Sequence, residues 1–137
     1  MPKDRPQCGL ILENSRGEVL LQLREDKPSI PYPNCLGTFG GQIEPGETPE
    51  EALVREIREE LEYHLIDFEY MGNFPFEGYD IHMYRKVDKG IKLEDLVIRE
   101  GQKAVFVSVR NINDGSFNFA FNCKEIVRAY YKKYHQL

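Results

Sequence analysis

The chain has 137 residues, 41% of them hydrophobic and 30% charged, with a formal net charge of −5. That length and balance fit one soluble globular domain spanning residues 1–137, and the acidic excess excludes a broad nucleic-acid-binding face, which would be basic. No apolar run reaches the roughly 20 residues of a membrane span, Met1 to Arg5 lacks the apolar core of a secretion signal, and Cys8, Cys35 and Cys123 have neither paired nor metal-type spacing, so a cytoplasmic protein with reduced cysteines, no membrane contact and no nucleic-acid polymer is expected.

Cys8 to Leu12 is a short apolar run, Asn14-Ser15-Arg16-Gly17 is a turn signal, and Val19 to Arg24 reads as a strand. Together they predict a hairpin. Lys27 to Asn34 carries Pro28, Pro31 and Pro33 and should be an irregular loop. Leu36 to Ile43 reads as a short strand interrupted by Gly40-Gly41.

The first helix is the strongest local signal. Thr48 suits the N-cap, Pro49 the first helical position, and Glu51 completes a capping box three residues after the cap. Leu53, Ile57 and Leu61, with Val54 beside them, form one apolar face. Ile66 to Tyr70, Gly78 to Arg85 and Ala104 to Val109 read as strands, and Leu93 to Ile98 is ambiguous. Asn122 to Tyr134 reads as a second helix, with Ile126, Ala129 and Tyr130 on one face. Strands with one helix in the middle and one at the end predict an α/β fold, a mixed sheet covered by helices.

The C-terminal end of the first helix breaks a local rule. A helix C-terminus carries partial negative charge and favours basic side chains. Here Glu56, Glu59, Glu60 and Glu62 crowd the last turns. Glu56, Glu59 and Glu60 fall within an arc of roughly 100°, and like charges one turn apart cost about 0.2–0.5 kcal/mol. A hard divalent cation reverses the sign of each of these terms, because Mg²⁺ takes oxygen ligands and bridges carboxylates to phosphates. The competing reading is a solvated charged face: Arg55 lies four residues from both Glu51 and Glu59, and Arg58 with Glu62 has the spacing of a surface pair.

Gly41, Glu47, Arg55, Glu56, Ile57, Glu59 and Glu60 share one register. Residues 41–63 thereby resemble the Nudix box, in which Gly, five residues, Glu and seven residues precede Arg-Glu-apolar-any-Glu-Glu-any-Gly-apolar. Glu62 stands where that motif has glycine, and Tyr63 where it has an aliphatic residue.

The resemblance implies a Nudix-type α/β/α sandwich and a MutT-like pyrophosphohydrolase using Mg²⁺, with Mn²⁺ as substitute. It implies that Glu56, Glu59, Glu60 and the carbonyl of Gly41 hold the metal, that Arg55 orients the carboxylates with Glu47 as a partner, and that Glu59 is the general base. Glu100 is the candidate further carboxylate from a distant loop. Arg24 resembles a phosphate-contacting arginine, and Asn122 a purine-reading asparagine that is also a natural N-cap. Phe76, Tyr79, Phe117 and Phe119 are candidates to stack a base or fill the core. The implied substrate is a small nucleotide, either a nucleoside triphosphate or an oxidised purine nucleotide such as 8-oxo-dGTP. ADP-ribose or a nucleotide sugar is the alternative within the same chemistry, and a non-catalytic nucleotide-binding module the alternative outside it.

Overall fold

In the computed structural model, which describes residues 5–136, the alternation along the first apolar run sets the architecture. Strand β1 (Gln7–Glu13) points Cys8, Leu10 and Leu12 into one core and Ile11 into another. Helix α1 (Pro49–Leu61) closes the first core with Ala52, Leu53, Ile57 and Leu61. Helix α3 (Cys123–Tyr134) closes the second with Cys123, Ile126, Val127, Tyr130 and Tyr131. The expected sandwich of helices on both faces of a mixed sheet is therefore present.

The sheet has seven strands. Besides β1 they are β2 (Val19–Leu23), β3 (Leu36–Gly37), β4 (Phe39–Gln42), β5 (Glu69–Asn73), β6 (Ile81–Val87) and β7 (Lys103–Val107). Strand β1 runs parallel to β6 along its whole length, from Gln7 opposite Ile81 to Glu13 opposite Val87. Its other edge is shared: residues 7–10 pair antiparallel with β4, and Glu13 pairs with Val19 of β2. Strand β2 continues the sheet antiparallel to β3 and β7, and β5 forms the far edge beside β6. The expected hairpin of the first two strands is thus held by its turn, where Asn14 Oδ1 accepts from the amides of Arg16 and Glu18 at 3.0 Å each.

Several boundaries differ from the sequence reading. The segment from Leu36 to Ile43 divides at Thr38, while the strand runs through Gly40-Gly41. The glycines are needed there: a Cβ on Gly40 would lie 2.1 Å from the carbonyl oxygen of Cys8. The three later strands lie at 69–73, 81–87 and 103–107, and Leu93–Asp95 is a single 3-10 turn. A short helix, α2 (Val109–Asn113), begins inside the run expected to extend to Val109. Ser108 and Asn111 form a reciprocal capping box that stops the strand. Ala129 is only half-buried; Val127 and Tyr131 fill the α3 face instead.

Helix α1 starts and stops for identifiable reasons. The Thr48 hydroxyl accepts from the Glu51 amide at 3.1 Å, and the Glu51 carboxylate accepts from the Thr48 amide at 2.9 Å. The helix ends at Leu61, and Glu62 takes the left-handed conformation expected of the motif glycine, with φ 52° and ψ 35°. An L-residue there costs roughly 1–2 kcal/mol. The Glu62 amide still donates to the Arg58 carbonyl at 2.9 Å, so the helix terminus is satisfied. Replacing Thr48 with alanine removes the cap and is expected to lower unfolding stability by about 1 kcal/mol, read as a lower urea midpoint with an unchanged slope.

Candidate active site

Arg55 joins the loop to the helix. Its Nε donates to Glu47 Oε2 at 2.7 Å and its Nη2 to Glu47 Oε1 at 2.9 Å, a two-bond fork. Nη2 also donates to the Gln42 carbonyl at 3.1 Å. Nη1 reaches Glu56 at 3.0 Å and Glu59 at 3.4 Å. This environment raises the affinity of Arg55 for its proton, chiefly through the bonds to Glu47. The same bonds push the Glu47 carboxyl down to about 2. The partnership expected between Arg55 and Glu51 does not form, because Glu51 serves the cap.

The carboxylates then separate into two environments. Glu56 and Glu60 turn into a cavity of about 570 Å³, which Gly40, Gly41, Gln22 and Glu100 also line. Glu59 is outside the cavity lining, held on Arg55, with a side-chain exposure of 58%. Gly41 lies against Glu56 so closely that a Cβ would sit 2.6 Å from the Glu56 carboxyl carbon. The Gly41 position therefore admits no side chain while Glu56 keeps its place.

Glu60 is 3% exposed. The Gly40 amide donates to its Oε1 at 2.9 Å. Glu100, on the loop before β7, lines the same cavity, and its negative charge disfavours that of Glu60. Burial, followed by this acidic neighbour, pushes the Glu60 carboxyl up to about 10. Burial likewise raises Glu56, partly opposed by Arg55. Arg55 is engaged with Glu47, Glu56 and Glu59, and among the described residues no basic side chain pairs with Glu60.

The donor set fits a hard divalent cation. It consists of carboxylate oxygens around a glycine backbone, and two carboxyls that disfavour each other's charge. Among the described residues no three acidic, histidine or cysteine side chains close around one point as a finished cage. Glu56, Glu60 and Glu100 are the residues that could hold such an ion. His64 is exposed, His82 meets Tyr70, and His135 meets Glu13 on the far side of the sheet.

The same cavity extends to a wall made by Ile30, Pro31, Tyr79, Phe121 and Asn122. Arg24 joins this wall. Its Nε and Nη2 donate to the Pro31 carbonyl at 3.3 and 2.9 Å, and its guanidinium sits 5.1 Å from the Phe121 ring centroid. Tyr32 packs on Phe121 at 4.7 Å and Phe76 at 6.0 Å. Asn122 occupies the N-cap position of α3 but makes no side-chain cap bond. Its Nδ2 donates to the Phe74 carbonyl at 3.0 Å instead.

Sequence reasoning missed Phe121. Phe117, Phe119 and Phe121 alternate, and the first two pack against the α3-side core. Phe121 leaves that alternation because its backbone is left-handed, with φ 51°. The only signal for this was its place immediately before a helix start.

The Glu60 environment has a pH consequence. In the unfolded chain this carboxyl ionises near 4.5, and in the cation-free folded protein near 10. Between those values the folded state keeps a proton that the unfolded state has lost, so stability falls as pH rises. Unfolding in EDTA should show a lower denaturant midpoint at pH 9 than at pH 6, and Glu60→Gln should flatten that slope.

The comparisons with known proteins agree with this geometry. The NUDIX domain family model matches residues 3–123. NAD-capped RNA hydrolase NudC of Pseudomonas aeruginosa is 35% identical over an 83-residue alignment that covers 52% of this chain and 29% of that protein. RNA pyrophosphohydrolase of Yersinia enterocolitica is 42% identical over 57 residues, 42% of this chain and 29% of that protein. The similarity thus spans less than a third of either relative's length. Among solved structures, the E. coli ORF135 protein superposes with TM-score 0.67 at 25% identity, covering 96% of this chain and 92% of that one. MutT from Methanosarcina mazei Go1 gives 0.72 at 19%, covering 95% of both chains. The NUDIX domain of Shewanella oneidensis NrtR, complexed with ADP ribose, gives 0.77 at 13%, covering 97% of this chain and 90% of that one. With the family match spanning most of its length, the chain belongs to the Nudix family.

Proposed function

We propose that this protein hydrolyses a phosphoanhydride bond in a nucleoside diphosphate linked to another group, in a Mg²⁺-dependent reaction that Mn²⁺ also supports. The observation that carries this reading is the continuity of one cavity from Glu56, Glu60 and Glu100 to Tyr79, Phe121 and Asn122. A phosphate chain placed at the carboxylate end leaves its base against the aromatic wall. The preferred substrate is a nucleoside triphosphate or an oxidised purine nucleotide such as 8-oxo-dGTP.

Glu56, Glu60 and the Gly41 carbonyl would hold the cation, with Glu100 as a further ligand. A bound Mg²⁺ supplies charge neutralisation on the phosphate oxygens and acidifies a coordinated water. Arg55 and Glu47 hold the helix and the glycine loop in register. Glu59 takes the proton from the attacking water, and Glu100 is the other carboxylate placed for that task. Arg24 lines the same cavity beside Pro31 and Phe121, and a guanidinium suits a phosphate oxygen. With its Nδ2 bonded to Phe74, the Asn122 carbonyl oxygen can accept from a donor on a base edge.

ADP-ribose is the second reading, favoured by the fold's likeness to a NUDIX domain complexed with ADP ribose. A panel of triphosphates, oxidised triphosphates, nucleotide sugars and ADP-ribose, assayed with Mg²⁺ and with EDTA, decides between them. Turnover should require the cation, and Glu56→Gln with Glu60→Gln should abolish it. Glu59→Gln should lower kcat by about 100-fold or more, the usual contribution of a general base; a larger loss in Glu100→Gln would transfer that role to Glu100. Full activity in EDTA would overturn the mechanism, and binding without turnover across the panel would make the protein a nucleotide-binding module.

Phe121→Ala tests the aromatic wall separately. Loss of one stacking face is worth about 1–3 kcal/mol, so KM for the preferred nucleotide should rise about 5- to 150-fold. Hydrolysis of a substrate lacking a base should change little.

A further inference from the structure

Glu62, the departure from the family motif, has a partner far away in the chain. Its carboxylate pairs with the guanidinium of Arg99, through both Nε and Nη2. The Arg58 partner expected from helical spacing is not used. Arg99 also donates its backbone amide to the Glu60 carbonyl at 2.9 Å, and Val97 donates to the Leu61 carbonyl at 3.1 Å. The segment from Val97 to Glu100 is therefore docked on the free carbonyls of α1. The next side chain along that segment belongs to Glu100, which lines the cavity with Glu60.

The far side of the segment is held as well. Gln22 Nε2 donates to the Glu100 carbonyl at 3.3 Å, and Gln102 donates its amide to the Leu23 carbonyl at 2.8 Å. Gly101 sits between them with φ 82°, where a Cβ would come within 2.8 Å of the Leu23 carbonyl oxygen. These bonds fix the β2 side of the loop. The Glu62–Arg99 pair is the side-chain bond on the α1 side. A glycine at position 62 would suit the left-handed backbone better, but it would leave Arg99 without this partner.

We infer that Glu62 and Arg99 are positioning residues: their ion pair clamps residues 97–100 to the end of α1 and so holds the Glu100 carboxylate at the cation site beside Glu60. This rests on the proposed reading of Glu56, Glu60 and Glu100 as a cation site. The pair acts through Glu100 and touches no substrate.

The decisive variant is Arg99→Gln. Removing a positive charge near a cation site should by simple electrostatics tighten binding. Loss of the clamp should weaken it. Mn²⁺ titration of the folded variant, followed by the electron paramagnetic resonance signal of free Mn²⁺, should give a dissociation constant about two- to fivefold higher than wild type, the range an exposed ion pair supports. Glu62→Gly should weaken Mn²⁺ binding similarly while melting no lower than wild type, because the glycine relieves the left-handed backbone. The double variant should be no worse than either single one.

Amide hydrogen exchange of residues 97–101 in the cation-free protein is the companion measurement, and it should quicken in Arg99→Gln and Glu62→Gly. Unchanged exchange together with unchanged or tighter Mn²⁺ binding in Arg99→Gln would overturn the clamp. Wild-type protein that binds no Mn²⁺ would overturn the cation reading on its own, and faster exchange in the variants would still support the clamp on the loop.

Discussion

A single guanidinium holds the site together. Arg55 grips Glu47 with two nitrogens, caps the Gln42 carbonyl, and reaches Glu56 and Glu59 with the third. Those partners come from the glycine strand, from the loop before α1 and from the helix itself. The loop has few apolar contacts of its own, so its position relative to the helix depends on this fork. The two glycines let β4 lie directly on β1 and under Glu56, which brings the Gln42 carbonyl to the fork.

Arg55 resolves only part of the charge problem that α1 creates. It neutralises the carboxylates on its own side and leaves Glu60 buried, with the exposed Glu100 as an acidic neighbour. A buried charge without a partner costs several kcal/mol, and the usual outcome is neutralisation by a proton. Burial pushes Glu60 the same way: its carboxyl, which accepts the Gly40 amide, is raised well above the usual carboxylate range. Under the proposed function a proton and a cation would compete for the same oxygens. On that reading the acidic crowd, costly as helix design, would be the unbalanced half of a binding equilibrium.

How much was legible in the sequence follows from how local each signal is. The capping box, the apolar face of Leu53, Ile57 and Leu61, and the register of Gly41, Glu47 and Arg55 all lie within one continuous stretch, and their geometry follows from helical periodicity. The glycine pair was read as a break, because a sequence pattern cannot show that another backbone needs that space. Helix α2 was hidden behind an apolar strand that its own capping box terminates. The convergence of Glu100 on Glu60, the turning of Phe121 away from the core, and the pairing of Glu62 with Arg99 all depend on contacts between distant segments. The exposed position of Glu59 has the same origin: helical spacing places it near Glu56 and Glu60, but the approach of β4 decides which two face inward.

The parallel pairing of β1 with β6 carries a consequence for how the chain reaches this structure. During synthesis β1 emerges early, and its antiparallel partner β4 and the helix α1 follow soon after, so the glycine loop and the first core can assemble from contiguous chain. The other edge of β1 stays open until β6 has left the ribosome, and the face bearing Ile11 stays uncovered until α3 has followed. Non-local parallel pairing is slow to form because the loop entropy is spent before the contacts exist. The central strand of the finished sheet is thus, for a time, an exposed apolar edge in the nascent chain, and the interval before β6 arrives is when this protein is most open to pairing with the wrong strand.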